Sequence, residues 1–211
     1  LKSHYEPTAL RATLINKYSH CQCKAFGGLV LNWPVGGLNP YAVYEAVRAG
    51  AKIIWMPTRD AKNSLNFGNM DGDFFNRPGI SILNENGKIK DVVYEIMDII
   101  KERGGCLATG HISPQESIVL CKEGRARGVP MILTHPEFQR TKISGEIQKE
   151  LAEQGVFIEK NWLNLVTGSV TAEEMAANIR LAGVEHVYLA TDRGQKIGPS
   201  PVDEYRNFIL A

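Results

Sequence analysis

The stretch Arg103-Gly104-Gly105-Cys106-Leu107-Ala108-Thr109-Gly110-His111-Ile112-Ser113-Pro114-Gln115-Glu116 contains a whole structural grammar in fourteen residues. Before it, Val92, Val93, Ile96, Ile99 and Ile100 recur at helical spacing, so a helix with one apolar face runs into Gly104. Glycine after a helix is the expected stop, because it enters the left-handed conformation without a Cβ penalty. The short apolar run Cys106–Ala108 reads as a strand buried on both faces. Ser113-Pro114 then restarts a helix, with a capping side chain before a proline at the first helical position and Glu116 completing a capping box. One βα unit is therefore spelled out, and His111 falls between its strand and its helix.

The same punctuation recurs along the chain. Glycines 50, 128, 155 and 183 each precede an apolar run: Ala51–Met56, Val129–Thr134, Val156–Glu159 and Val184–Thr191. Asn39-Pro40 and Ser200-Pro201 repeat the helix start, Thr171 with Glu174 repeats the capping box, and Ile143, Ile147 and Leu151 repeat the apolar face. Continuous rather than alternating apolar runs are what a parallel sheet covered by helices requires. Adding Ala25–Asn32 and a strand end at Lys2–His4 gives seven βα units. Successive glycines from position 104 onward are 24, 27 and 28 residues apart, the length of one such unit. The expected fold is α/β, a (β/α)8 TIM-like barrel in a single domain over residues 1–211, with the first βα unit absent before Leu1. Arg59 to Arg77 lacks helical periodicity and is rich in Asn, Gly and Asp. With Phe67, Phe74 and Phe75, it reads as a long loop over the barrel mouth, followed by a small hairpin around Ile80–Leu83 and Asn86-Gly87.

Composition narrows the function. Lys and Arg number 24 against 23 Asp and Glu, a net charge of +1, which argues against nucleic-acid phosphates or an anionic membrane as partners. No apolar run is long enough for a membrane-spanning helix and no signal peptide opens the chain, so the reading is cytoplasmic. Four cysteines are too few for a disulfide scaffold, and Cys21-x-Cys23 lacks the spacing of a zinc or redox pair. Gly27-Gly28 and Gly36-Gly37 do not form a phosphate-binding GxGxxG loop and read as bends.

In a parallel βα fold, chemistry sits just beyond the C-terminal ends of the strands. Those positions hold Lys2 and His4, Asn32, Thr58, His111, His135 with Glu137, Glu159-Lys160-Asn161, and Asp192-Arg193. Three of the five histidines share this register, whereas His20 and His186 do not. Imidazoles with a carboxylate suit a divalent ion, Zn²⁺ first and Mn²⁺ or Fe²⁺ as alternatives. The metal candidates are His111, His135, Asp192 and His4. The catalytic candidates are Asp192, as a ligand or as the base that takes a proton from water, together with His4 and Lys2. Lys2, Glu137 and Arg193 are candidate contacts for a small-molecule substrate. Trp33, Trp55 and Trp162 lie near strand ends and serve either as pocket walls or as core.

Taken together, Leu1-Lys2-Ser3-His4-Tyr5-Glu6-Pro7-Thr8, Gly36-Gly37-Leu38-Asn39-Pro40, Trp55-Met56-Pro57-Thr58, Ala108-Thr109-Gly110-His111, Thr134-His135-Pro136-Glu137-Phe138 and Thr191-Asp192 resemble an uncharacterised family of amidohydrolase/PHP-like metal-dependent barrels. The resemblance spans essentially the whole chain. It implies a distorted (β/α)8 barrel that hydrolyses a small amide, cyclic amide, ester or phosphoester with metal-bound water. His111 and His135 match the histidines after the fifth and sixth strands, and Asp192 matches the aspartate after the eighth. The sequence departs from the pattern in having no His-x-His pair, which such proteins carry at the end of the first strand. Lys2 does not match the carbamylated lysine, which belongs to the fourth strand, here ending at Thr58. A decarboxylase of the same superfamily and a non-catalytic small-molecule-binding barrel are the alternative readings, and a homo-oligomer is compatible with all three.

Overall fold

A computed structural model describes residues 1–20, 22–68, 77–195 and 198–211. The chain divides into two compact units, Leu1–Ile132 and Leu133–Ala211. In the first, helices α1 (Ala9–Tyr18), α2 (Pro40–Arg48), α3 (Lys62–Phe67), α4 (Asp91–Arg103) and α5 (Pro114–Ala126) accompany strands β1 (Gly27–Val30), β2 (Ala51–Trp55), β3 (Cys106–Ala108) and β4 (Met131–Leu133), the last of which ends on the boundary. These strands lie in the order β1-β2-β3-β4, and each pairing is parallel. The second unit pairs β5 (Phe157–Asn161) in parallel with β6 (Val187–Ala190). It adds α6 (Gly145–Glu153), α7 (Trp162–Val166), α8 (Ala172–Ala182) and α9 (Pro201–Leu210). The architecture is α/β, with helices between parallel strands, as the punctuation predicts.

The five junction glycines, at 50, 104, 128, 155 and 183, all adopt φ between 74° and 100°. Their predicted role as left-handed helix stops is thereby met. Asn39 accepts hydrogen bonds from the Tyr41 and Ala42 amides, and Ser113 and Glu116 form a complete capping box. Thr171 caps Glu174, whereas Ser200 begins α9 without a side-chain cap bond. The core of the first unit gathers Leu29, Ile54, Met56, Leu107 and Met131 from the strands and their ends, with Val43, Val93, Ile96, Ile100 and Leu120 from the helices. Each such side chain contributes roughly 1.5–3 kcal/mol when fully buried.

Four sequence expectations are corrected. Lys2–His4 is not a strand. The backbone of Gly28 is already engaged by Thr8, whose amide donates to the Gly28 carbonyl (2.9 Å) and whose hydroxyl accepts from the Gly28 amide (2.9 Å), so the outer edge of β1 offers Lys2–His4 no ladder there. Gly27 and Gly28 lie within β1 rather than at a bend. A Cβ on Gly28 would stand 2.4 Å from both the Ile53 carbonyl oxygen and the Trp55 ring, so glycine is required by close approach. Finally, the loop expected from Arg59 contains α3. Its flank is held from outside: Ala61 bridges to Ile80, the Lys62 amide donates to the Ile80 carbonyl and the Ile80 amide to the Asp60 carbonyl, both at 2.8 Å. Phe74, Phe75 and Cys21, which figured in the sequence reading, lie outside the described residues. The expected hairpin is reduced to a single antiparallel bridge, Leu83 to Ile89, around the turn at Gly87.

Candidate functional site

The first unit builds its rim around a buried amide. Asn32 follows β1 and is wholly covered. Its Oδ1 accepts from the Thr58 amide (2.8 Å), and its Nδ2 donates to Thr58 Oγ1 (2.9 Å) and to the His4 carbonyl (3.3 Å). Thr58 Oγ1 in turn meets His4 Nδ1 at 2.9 Å. His4 therefore reaches the rim, carried there by side chains rather than by a strand. Lys2 places its ammonium 5.6 Å from the Trp55 ring centroid, a cation–π distance.

His111 is positioned by glycine. Gly110 has φ 61°, and a Cβ there would stand 2.3 Å from the Met56 carbonyl oxygen. The chain turns at this point, and the His111 amide donates to the Pro57 carbonyl at 2.9 Å. The imidazole is buried. Its Nδ1 meets Ser64 Oγ at 3.3 Å, and its carbonyl accepts from Asn63 Nδ2 at 3.1 Å. Both partners come from α3, the helix that periodicity does not reveal. No local signal marks Asn63 and Ser64, because their role depends on a contact 47 to 48 residues away.

In the second unit, backbone strain marks two residues. Among the described residues, His135 (φ 30°) and Asp192 (φ 49°) are the non-glycine positions with positive φ. Such conformations cost of order 1–3 kcal/mol and persist where the surroundings enforce them, often at functional sites. Thr141 Oγ1 donates to the His135 carbonyl (3.1 Å) and lies 3.2 Å from His135 Nδ1. With its own proton given to the carbonyl, the hydroxyl accepts Nδ1–H, which in the neutral ring leaves the lone pair on Nε2. The Phe138 ring stands edge-on at 5.2 Å.

Behind His135 lies a buried ion pair. Lys160 is the largest fully covered side chain described, and its ammonium contacts Glu137 Oε1 and Gln148 Oε1, the latter at 2.6 Å. Asn178 of α8 donates to the same Glu137 oxygen at 3.2 Å. Burial pushes the Lys160 amine below its usual range, against the opposing pull of the Glu137 charge. Glu137, nominated as a substrate contact, is thus engaged by Lys160 and Asn178. Arg193 stands 3.0 Å from Glu204 Oε2 of α9, which also accepts Trp162 Nε1. Glu159 accepts the Tyr188 hydroxyl from the neighbouring strand. Among the described residues, the buried Glu137 Oε2, both amide atoms of Asn161 and Asn164 Nδ2 have no hydrogen-bond partner. Each such atom costs about 1–3 kcal/mol.

As individual donors, His4, His111 and His135 suit a metal, because each imidazole Nδ1 is steadied by a hydroxyl, the arrangement that orients ligand histidines. Among the described residues, no three His, Cys, Asp or Glu side chains are grouped so that they could hold an ion. No described helix is long and apolar enough to cross a membrane.

A family model described as a family of unknown function, DUF6282, matches residues 1–159, which include His4, His111, His135 and Glu137. The chain belongs to DUF6282. No curated protein matches this DUF6282 chain in sequence. Its fold is similar to that of an amidohydrolase from Pseudomonas aeruginosa, with a TM-score of 0.52 at 16% identity. That alignment covers 76% of this chain and 48% of the amidohydrolase, so the DUF6282 chain spans about half the length of that relative. A GH18 chitinase from Pseudoalteromonas aurantia aligns over 86% of this chain and 74% of its own, with 10% identity and a TM-score of 0.41. The first likeness places this DUF6282 chain with an amidohydrolase-like α/β fold; the second is too weak to add to it.

Proposed function

We propose that this DUF6282 chain is a barrel-type hydrolase of the amidohydrolase kind, acting on a small amide, cyclic amide, ester or phosphoester at the C-terminal ends of its parallel strands. One observation carries the reading. His135 and Asp192, nominated from strand register alone, are the two non-glycine residues among those described that are held in the strained left-handed region. The amidohydrolase-like fold supports the same class. Within this reading, His135 would present its Nε2 lone pair to a proton or an ion, with Thr141 holding the ring. Asp192 would supply a carboxylate, and Asn32 with Thr58 would keep His4 at its rim.

Metal dependence is part of the proposal and rests on register along the strands. The assignment is His111, His135, Asp192 and His4, with Zn²⁺ favoured over Mn²⁺ or Fe²⁺. Within each unit, the contacts these residues make supply proton handling and hydrogen bonding. The direct test is metal analysis of the purified protein, repeated on His111→Ala and His135→Ala. Metal that copurifies with the wild type and is lost in both variants supports the reading; metal content that ignores both substitutions sinks it. A second reading is a non-catalytic barrel that binds a small molecule, supported by the buried Asn161 side chain, whose amide atoms have no hydrogen-bond partner among the described residues and which supplies neither a nucleophile nor a base. Binding of such a molecule with no turnover at any metal supplement would establish that alternative.

A further inference from the structure

We propose that Asn161 is a recognition group for an amide whose N–H and C=O lie on the same side, as in a ring amide. The proposal deepens the hydrolase reading, whose substrate class spans amides, esters and phosphoesters, by choosing among them. It starts from the alternation of β5. Lys160 directs its amine to Glu137 and to Gln148 of α6, so its neighbours Glu159 and Asn161 share the opposite face of the strand. On that face Tyr188 of β6, paired with Glu159, gives its hydroxyl to the Glu159 carboxylate. Paired with Asn161 is Ala190, whose methyl group can neither donate nor accept.

Asn161 is 0% exposed, and neither its Nδ2 nor its Oδ1 has a hydrogen-bond partner among the described residues. Three residues further on, Asn164 is 1% exposed and its Nδ2 has none either. Most buried polar side-chain atoms are hydrogen-bonded, so three unmet amide atoms within four residues mark a place where a bound group would be paired. The unmet set is two donors and one acceptor.

A ring amide meets both Asn161 atoms: its N–H donates to Asn161 Oδ1, and the carbonyl lone pair on the same side accepts from Asn161 Nδ2. A primary carboxamide presents the same edge. An open secondary amide is trans, with N–H and C=O on opposite sides, and cannot pair both with one asparagine. Esters and phosphodiesters bring no N–H, and Asn161 Oδ1 would be left facing another acceptor. Asn161 is covered by its neighbours, so entry requires them to part.

The test reads the Asn161 side-chain amide by NMR in the ¹⁵N-labelled full chain, with the resonance assigned by its loss in Asn161→Asp. The probes are δ-valerolactam, propionamide, N-methyl-δ-valerolactam and δ-valerolactone. The expected result is a saturable shift of the Asn161 resonance with δ-valerolactam, and binding about tenfold or more weaker for the N-methyl lactam and the lactone. A response to propionamide equal to that of the lactam identifies the carboxamide edge rather than the ring as the feature read. Equal responses to all four probes, or a resonance that ignores all of them, overturn the proposal. Asn161→Leu provides the second reading: it should fold with a melting temperature no lower than that of the wild type and lose lactam binding. A marked fall in its melting temperature would show the amide to be a structural group and would also overturn the proposal. Neither experiment needs turnover or added metal. A chain that binds the lactam and hydrolyses nothing keeps this proposal and loses the hydrolase reading, and an active chain whose Asn161 is indifferent to the lactam does the reverse.

Discussion

The ammonium of Lys160, at the end of β5, is joined to the carboxylate of Glu137, two residues beyond the strained His135, with both side chains shut off from solvent. A buried pair of this kind is far more costly to break than to replace. Lys160→Met, which leaves Glu137 charged and unmatched, is expected to lower unfolding stability by about 3–5 kcal/mol. Adding Glu137→Leu should restore most of that loss. Urea denaturation of the single and double variants checks this, and a single variant as stable as the wild type would refute it.

Thr141 is expected to govern the proton position on His135. In Thr141→Val the Nδ1–H loses its acceptor and the His135 carbonyl loses a donor, so stability should fall by about 1–2 kcal/mol. The ¹⁵N shifts of the His135 ring should move away from those of a single Nδ1–H tautomer. Ring shifts unaltered by the substitution would contradict the arrangement.

Asp192 holds φ 49°, where a β-carbon is disfavoured and glycine is not. Of two variants that both remove the carboxylate, Asp192→Gly should be more stable than Asp192→Ala by about 1 kcal/mol. Thermal unfolding distinguishes them, and the reverse order would show that the strain is absent in solution.

Cys121 is wholly buried on α5, and desolvation pushes its thiol up to about 12 from 9.0. The raised folded-state value means that the unfolded chain gives up this proton first as pH rises. The contribution is therefore complete below pH 9 and is lost as pH climbs toward 12, at up to about 1.4 kcal/mol per pH unit. Cys121→Ala should flatten the alkaline slope of stability by that amount. A thiol reagent at pH 8 should label the exposed Cys23 in the native protein and reach Cys121 only after unfolding. Rapid native labelling of Cys121 would contradict its burial.

Much of the fold is readable from local chemistry. Gly104 and Gly183 stop helices because nothing else enters the left-handed region so cheaply, and Ser113 starts one because its hydroxyl and Glu116 satisfy each other. These are interactions within four residues, so they survive in any context. The rim register of His111, His135 and Asp192 follows from the same rules. What escapes the sequence depends on distant partners. Helix α3 forms because Ile80 braces its start, and the Lys2–His4 segment is no strand because Thr8 has engaged Gly28. Lys160 reads as an ordinary rim lysine in Phe157-Ile158-Glu159-Lys160-Asn161. Its burial could have been suspected only from the acidic Glu137 on the preceding strand's loop, and a surface carboxylate there would look the same.

The bond between Thr8 and Gly28 also bears on how the protein behaves at high concentration. An outer strand with open amide and carbonyl groups is a template on which another chain can add itself. Thr8 blunts that template at the one residue of β1 where its backbone and hydroxyl can both reach, with Gly28 Cα too crowded to tolerate a side chain. The Thr8 hydroxyl, next to the first helix, is thus one of the groups that occupy this edge, and Thr8→Val should leave the Gly28 amide without that acceptor while the backbone bond to the Gly28 carbonyl remains.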